Sequence, residues 1–418
     1  MRRIIPLLVL MFVFNFMDRV NVGFAALQMN QELGFTPTVY GLGAGMFFIS
    51  YFLFEIPSNI AMHRFGARVW LSRIAVTWGL VACATAFIQG ATSFYIMRFL
   101  LGVAEAGFYP GVVYFLSQWF PERERARALA LFQTGQAVAV IIGGPLSTWL
   151  LSIGTPAFSG WRWMMFLEGI PSILLGLACL IALRDSPTKV TWLTPSEQEW
   201  LVQELAREKA AKPIETTALK VLTDRRVLPY AFVYFCIVIA VIGMTLWMPQ
   251  IIRSLGVAVP MQIGLLAAVP WIIGLVIQFC LSTHSDQTGE RKWHVGLAMA
   301  CCAVAFIVSA TIGNPVIAFI AVALALGGLF ATGSLFWTLP TTLLGGVAAA
   351  SAIAFINSSA MVGGFLGPFL IGWIREATGS YTTALVFMAA VLVVGAGVVL
   401  TRKPGRDYVA RTVPEASA

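Results

Sequence analysis

Apolar runs of about 20 residues recur from end to end of this 418-residue chain, separated by short polar stretches or by Gly and Pro. In hydrocarbon only a helix satisfies its own backbone across such a run, so the spacing predicts helices. It predicts twelve, at 4–27, 38–62, 69–88, 93–117, 126–151, 161–183, 227–252, 261–283, 293–311, 315–338, 343–373 and 380–401. The first begins behind Arg2 and Arg3, contains Asp18 and Arg19, and is followed by no small-residue cleavage site, which makes it a span and not a removed signal peptide. From Trp293 to Ile374 there is no Asp, Glu, Lys or Arg, and boundaries there rest on IGNP at 312–315 and LPTT at 339–342.

One sizeable hydrophilic segment, 184–226, divides the runs six and six. Within it Thr194 is placed as an N-cap, Pro195 as the first helical residue and Glu197 as the partner in a capping box. This reads as a short amphipathic cytoplasmic helix whose charges form a solvated face attracted to anionic lipid. The flanking halves repeat at a single offset of 223 residues: Arg3 to Pro6 falls on Arg226 to Pro229, Gly66 and Trp70 on Gly289 and Trp293, and Gly144-Pro145 on Gly367-Pro368. One offset serving three places indicates duplication. The expected organisation is an N-terminal six-helix bundle at 1–183, a linker at 184–226, a C-terminal six-helix bundle at 227–401 and a cytoplasmic tail at 402–418. Six plus six repeat-related helices are a transporter architecture, with cargo and coupling ions near the midplane.

Composition places the chain in the membrane: 59% of residues are hydrophobic, 11% are charged, and the mean hydropathy is +0.84. The net charge of +8 is sorted by loop and forms no basic patch, which excludes a nucleic-acid reading. With the N-terminus in the cytoplasm, 22 of the 27 Lys and Arg residues fall on that side and only Arg162, Arg253 and Arg375 fall outside, leaving Arg19 and Arg98 in the membrane. Both termini are therefore expected in the cytoplasm. Cys83, Cys179, Cys236, Cys280, Cys301 and Cys302 all lie in predicted spans without metal or redox spacing, and read as small buried hydrophobes. No HExxH, GxSxG or Walker-type sequence occurs, so no catalytic, metal or cofactor residue is expected.

Charge inside a span is what needs a reason, because it costs several kcal/mol unless paired or wetted. In SFYIMRFLLGVAEAGFYP, Ser93 to Pro110, Arg98 and Glu105 are seven residues apart, within about 20° of one helix face and about 10 Å along the axis. A plain structural ion pair locking two helices is the bland account. The repeat argues for more, since Asp18, Arg19, Arg98 and Glu105 map onto Val241, Ile242, Ala321 and Gly328, and only the N-terminal half carries a charged centre. Two arginines and two carboxylates can trade an organic anion against a proton, and the arginine fork suits a planar carboxylate. Asp18 and Glu105 are assigned as the proton-coupling pair and Arg19 and Arg98 as the anion handlers, all four facing one watery central pocket. His63, His284 and His294 sit at span ends and are set aside; Glu55 and Glu168 lie near span ends, within reach of water or a loop arginine, and read as structural or gating groups. Tyr51, Gln136, Ser334, Trp337 and Asn357 would supply neutral polar and aromatic contacts to the substrate, with helix–helix hydrogen bonding as the plain alternative for each. IIGGP at 141–145 and GGFLGP at 363–368 would permit close approach and bending in two repeat-related spans.

FNFMDRVNVGFA in the first span, FEIPSNIAMHRFGARVW, RFLLGVAEAGFYPG, WFPERERARA, WRWMMFLEGIP and FINSSAMVGGFLGP together resemble the anion:cation symporter family of the major facilitator superfamily. The resemblance covers nearly the whole chain. It implies an all-α twelve-helix major facilitator fold and proton-coupled uptake of a small organic anion such as tartrate, a sugar acid, phthalate or hydroxyphenylacetate across a bacterial inner (plasma) membrane. It also implies that Asp18, Arg19, Arg98 and Glu105 serve coupling and anion handling and that Tyr51, Gln136, Ser334, Trp337 and Asn357 line the sugar-acid site. The superfamily loop motif departs from its usual form, reading His63-Arg64-Phe65-Gly66 in one half and Asp286-Gln287-Thr288-Gly289 in the other. The expected partners are the substrate anion, protons and the lipid bilayer, with the chain acting as a monomer. An organic-anion exchanger without protons and, different in kind, a transport-inactive sensor remain as alternatives.

Overall fold

The computed structural model describes residues 3–210, 227–341 and 346–401. The expected match of Arg3 to Arg226, the end of the linker and the 402–418 tail lie outside these residues. Among the described residues twelve helices are long and apolar enough to cross a membrane: Ile5–Glu32, Pro37–Phe65, Ala67–Thr85, Ala91–Ser117, Glu122–Leu151, Gly160–Ala182, Leu228–Ser254, Pro260–Thr288, Lys292–Thr311, Pro315–Pro340, Ala352–Thr378 and Tyr381–Thr401. They are numbered here as spans one to twelve. The polar breaks act as caps. Thr36 accepts from the Val39 N–H at 3.3 Å ahead of Pro37, and Asn314 accepts from Val316 and Ile317 ahead of Pro315.

Packing repeats between the halves. Span one lies on span five as span seven lies on span eleven; span three pairs with six as nine with twelve; two pairs with four as eight with ten. The halves meet through span two against eleven and span five against eight, which the 223-residue offset interchanges, so this is one contact made twice about a pseudo-twofold axis. Gly41 and Gly264, related by the same offset, show why: a Cβ on Gly41 would overlap the Pro368 carbonyl oxygen, and one on Gly264 the Gly144 carbonyl oxygen. Only a residue without a side chain lets these backbones approach. Pro145 and Pro368, also offset partners, both sit inside their helices.

The cross-half hydrogen bonds found among the described residues include three at the end away from the N-terminus. Tyr40 Oη donates to the Leu246 carbonyl at 2.8 Å, Arg253 Nη1 to the Leu27 carbonyl at 2.7 Å, and the Thr38 N–H to Glu376 Oε2 at 2.9 Å. The molecule is thus sealed near residues 33–38 and 246–256.

At the opposite end the capping box forms as expected, with the Thr194 N–H donating to Glu197 Oε2 at 2.8 Å and the Glu197 N–H to Thr194 Oγ1 at 3.3 Å. The helix Pro195–Ala210 is not only solvated, however. Its Glu208 accepts from the Glu122 N–H at 2.6 Å and from Arg125 Nη2 at 3.0 Å, placing a carboxylate on the unsatisfied N-terminus of span five. The cysteine expectation also needs correcting: Cys83, Cys179, Cys236 and Cys302 are buried, but Cys280 and Cys301 are exposed.

Candidate functional site

Span four is two helices, Ala91–Glu105 and Phe108–Ser117. The break comes at Gly107, whose φ of 85° is left-handed, and the Ala106 carbonyl left free accepts from Ser58 Oγ at 2.6 Å. Glu105 therefore ends its helix facing span one. There its Oε2 accepts from Arg19 Nε at 2.9 Å and from Asn15 Nδ2 at 2.8 Å. Asn15 and Arg19 are four residues apart, one above the other on one helical face, which is why a single carboxylate reaches both.

Around this pair the aromatic residues of span two form a wall. The Arg19 guanidinium lies 5.3 Å from the Phe47 ring and 4.8 Å from the Tyr51 ring, and the Arg98 guanidinium lies 5.2 Å from the same Phe47. Arg98 is 2% exposed, and its Nη2 donates to the Ala44 carbonyl at a long 3.5 Å while its Nε has no acceptor. Among the described residues it makes no ion pair with a carboxylate. Arg19 Nη2 and Glu105 Oε1 are likewise buried without a partner. Two guanidiniums and one carboxylate thus share a site with hydrogen-bonding capacity to spare.

The structure corrects the expectation that four charged groups face one pocket. Successive helical residues point about 100° apart, so Asp18 cannot follow Arg19. Asp18, 1% exposed, turns into the N-terminal bundle, where Oδ2 accepts from Trp78 Nε1 at 3.0 Å and Ser172 Oγ at 3.2 Å. Its Oδ1 accepts from Asn21 Nδ2 at 3.4 Å, and the same nitrogen donates to Glu168 Oε2 at 2.9 Å. Glu168, whose Oε1 accepts from Ser147 Oγ at 2.7 Å, is not reached by water or a loop arginine, because it is 2% exposed and Arg162 is held by Glu32 at 3.0 Å. Of the four groups only Arg19 is open, its side chain 16% exposed. Glu55 is half-buried and within electrostatic reach of Arg19, not of a loop arginine.

The neutral residues divide as well. Tyr51 joins the arginine site, while Gln136 and Asn357 are half-buried on spans five and eleven. Trp337 packs edge-on to Tyr234 at 4.6 Å, where span ten turns into Thr338–Thr341. Ser334 is exposed, its hydroxyl donating to the Phe330 carbonyl of its own helix at 3.4 Å. Sequence reasoning missed Asn15, Asn21 and Trp78. The two asparagines carried a readable signal, being polar groups inside an apolar run at helical spacing from Arg19 and Asp18.

A protein of Agrobacterium vitis described as a putative tartrate transporter is 44% identical to this chain, over 94% of this chain and 88% of its own length. The quinolone resistance transporter of Acinetobacter baumannii is 41% identical, over 94% and 91%. The crystal structure of a D-xylose-proton symporter superposes with a TM-score of 0.77 over 96% of this chain and 98% of that one, at 14% identity, a likeness of fold alone. The sequence profile of the Major Facilitator Superfamily matches residues 8–368, from the first span into the eleventh. With two pseudo-symmetric six-helix halves closing over one charged site, the chain belongs to the Major Facilitator Superfamily.

Proposed function

We propose that this transporter takes up a small organic carboxylate together with protons, by alternating access, and that it belongs to the superfamily's anion:cation symporters. The observation that carries the reading is the Arg19–Glu105 ion pair beside Arg98, a buried arginine without a carboxylate of its own. An anion entering this site finds one guanidinium free and a second released when Glu105 takes a proton, so cargo and proton favour each other's binding. The planar fork of each arginine matches a carboxylate, and Tyr51 would flank the bound anion. Gln136, Ser334, Trp337 and Asn357 would supply the contacts that select among carboxylates, and Asp18 would be the second proton-coupling group. The Agrobacterium relative is named for tartrate, a dicarboxylate of this chemistry.

The sealed end would be the outer one, because the distribution of Lys and Arg puts both termini in the cytoplasm of an inner-membrane protein. The domain limits at 183/184, 226/227 and 401/402 go with this reading. Uptake of labelled tartrate and a panel of other carboxylates into vesicles, with and without an imposed proton gradient, tests it. Accumulation only under the gradient supports symport. Exchange indifferent to the gradient would mean an exchanger, and binding without uptake a sensor.

A further inference from the structure

Asp18 and Glu168 form a second buried acidic unit that the Arg19–Glu105 site leaves unexplained. Their four carboxylate oxygens take the indole of Trp78, the hydroxyls of Ser172 and Ser147 and, twice, the one amide nitrogen of Asn21. All six side chains are more than nine-tenths buried. The elements packed around the unit supply few charges. Span three brings Cys83 and span four brings Glu105 and Arg98, all within electrostatic reach of Asp18. Arg98 is the one cation among them, and its Nη2 donates to the Ala44 carbonyl of span two. Spans five and six contribute only the two serine hydroxyls beside Glu168 itself.

Two ionised carboxylates bound to the same amide nitrogen, dry and without a cation of their own, repel each other with little screening. Such repulsion favours the state in which one of the two carboxyls is neutral. We propose that Asp18 and Glu168, joined through Asn21, hold one proton between them, and that Glu168 is a positioning residue that sets the pH at which Asp18 releases it. In the transport cycle this rests on the proton-coupled reading above, but the shared proton itself does not. The unit ties spans one, three, five and six together, so it reports movement of span one against its neighbours directly to the proton.

The test is substrate-independent. Infrared difference spectroscopy of the purified full-length protein, titrated with base, follows the carbonyl stretch of protonated carboxyls, and the part missing in Asp18→Asn belongs to the pair. In Glu168→Gln the neighbouring charge is gone, and the midpoint of that band should fall by about one pH unit or more. Ser147→Ala removes a donor from the Glu168 carboxylate without changing charge, and should move the midpoint the opposite way; it carries the test if Glu168→Gln does not fold. A polar lock without a shared proton would change stability and leave the midpoint where it was. Equal midpoints in wild type, Glu168→Gln and Ser147→Ala, or a band untouched by Asp18→Asn, overturn the proposal. A shifted midpoint in a protein whose uptake ignores the proton gradient would uphold the pair and remove only its place in transport.

Discussion

Arg19 and Glu105, 86 residues apart in sequence, meet at 2.9 Å in the middle of the N-terminal half, and the carboxylate is wholly buried while the guanidinium is not. The pair is therefore open from the arginine's side only. Under the proposed mechanism an anion approaching from the interior of the molecule would touch the cation first and displace Glu105 from it, with Glu105 leaving as a neutral acid because a buried unpaired charge would otherwise remain.

That geometry predicts the behaviour of Glu105→Gln. The amide still accepts from Asn15 and Arg19 but cannot carry a proton. Gradient-driven accumulation in vesicles should fall by about tenfold or more, while exchange of labelled for unlabelled substrate continues. Wild-type accumulation by this variant would remove Glu105 from coupling.

Arg98→Lys keeps the charge and gives up the fork. The lysine ammonium is a compact point charge that cannot offer two parallel donors to a carboxylate, and the contact with the Phe47 face weakens as well. Substrate affinity should drop by about tenfold, roughly 1.4 kcal/mol, with little change in the maximal rate. Calorimetric titration measures it, and unchanged affinity would take Arg98 out of the anion site.

The fold was legible in the chain because hydrocarbon leaves the backbone so few options: a run long enough to cross must be a helix, and its breaks must be caps. Span ten starts at Pro315, as IGNP predicts, and span two at Pro37, one residue before its expected start, where Thr36 caps it. The repeat offset likewise contained the Gly41–Gly264 relationship, though only the cross-half contacts give it meaning. The site was legible as a list of costly residues and not as an arrangement. Distance along a span placed Glu168 near an end, yet the packing of span six buries it, and hydrogen bonds from Asn21 and Ser147 replace the loop arginine that was expected. The partition of Asp18 from Arg19 follows from helical geometry alone, since adjacent residues diverge by about 100°. What the one-dimensional pattern lacked was the identity of the helices on either side, Trp78 and Ser172 for one and Glu105 for the other.

Outside the membrane, the linker helix Pro195–Ala210 should respond to acid. Two hydrogen bonds from Thr194, backbone and hydroxyl, hold the exposed Glu197 carboxyl below the usual glutamate value of 4.5. A depressed value means a contribution to helix stability that is fully present above 4.5 and is lost as the pH falls through the lowered value. Protection of the Glu197 amide, measured against its intrinsic exchange rate, should therefore fall below pH 4.5 in wild type. Thr194→Ala removes the hydroxyl to which this amide donates and should lower its protection already at neutral pH, with a further loss on acidification that remains because the backbone N–H at 194 still holds the Glu197 carboxyl. Identical protection in both would mean that the capping box is not what holds the turn.

The closed end rests on backbones that approach only because Gly41 and Gly264 have no side chains, and this gives the last prediction a definite sign. In Gly41→Leu the Cβ overlaps the Pro368 carbonyl and comes within 3.2 Å of the Phe369 Cα, so the clash is with backbone and cannot be relieved by a side-chain rotation. Spans two and eleven must separate, and with them the bond from Thr38 to Glu376 is lost. The substitution makes no direct contact with Arg19 or Arg98, although the span it displaces carries Ala44 and Phe47 beside them, so substrate affinity should fall less than transport, which under the proposed alternating access needs this end to close and should fall by about tenfold or more. Spin labels at Leu33 and Gly256, on the loops that follow spans one and seven, should report a longer distance in the variant than in the parent protein. Gly264→Leu should do the same through spans five and eight, because it stands at the symmetry-related contact. A lengthened distance in one variant and not in the other would mean that the two cross-half contacts are energetically unequal despite their shared geometry; unchanged distances in both, with normal transport, would show that the glycines are not what lets the halves seal.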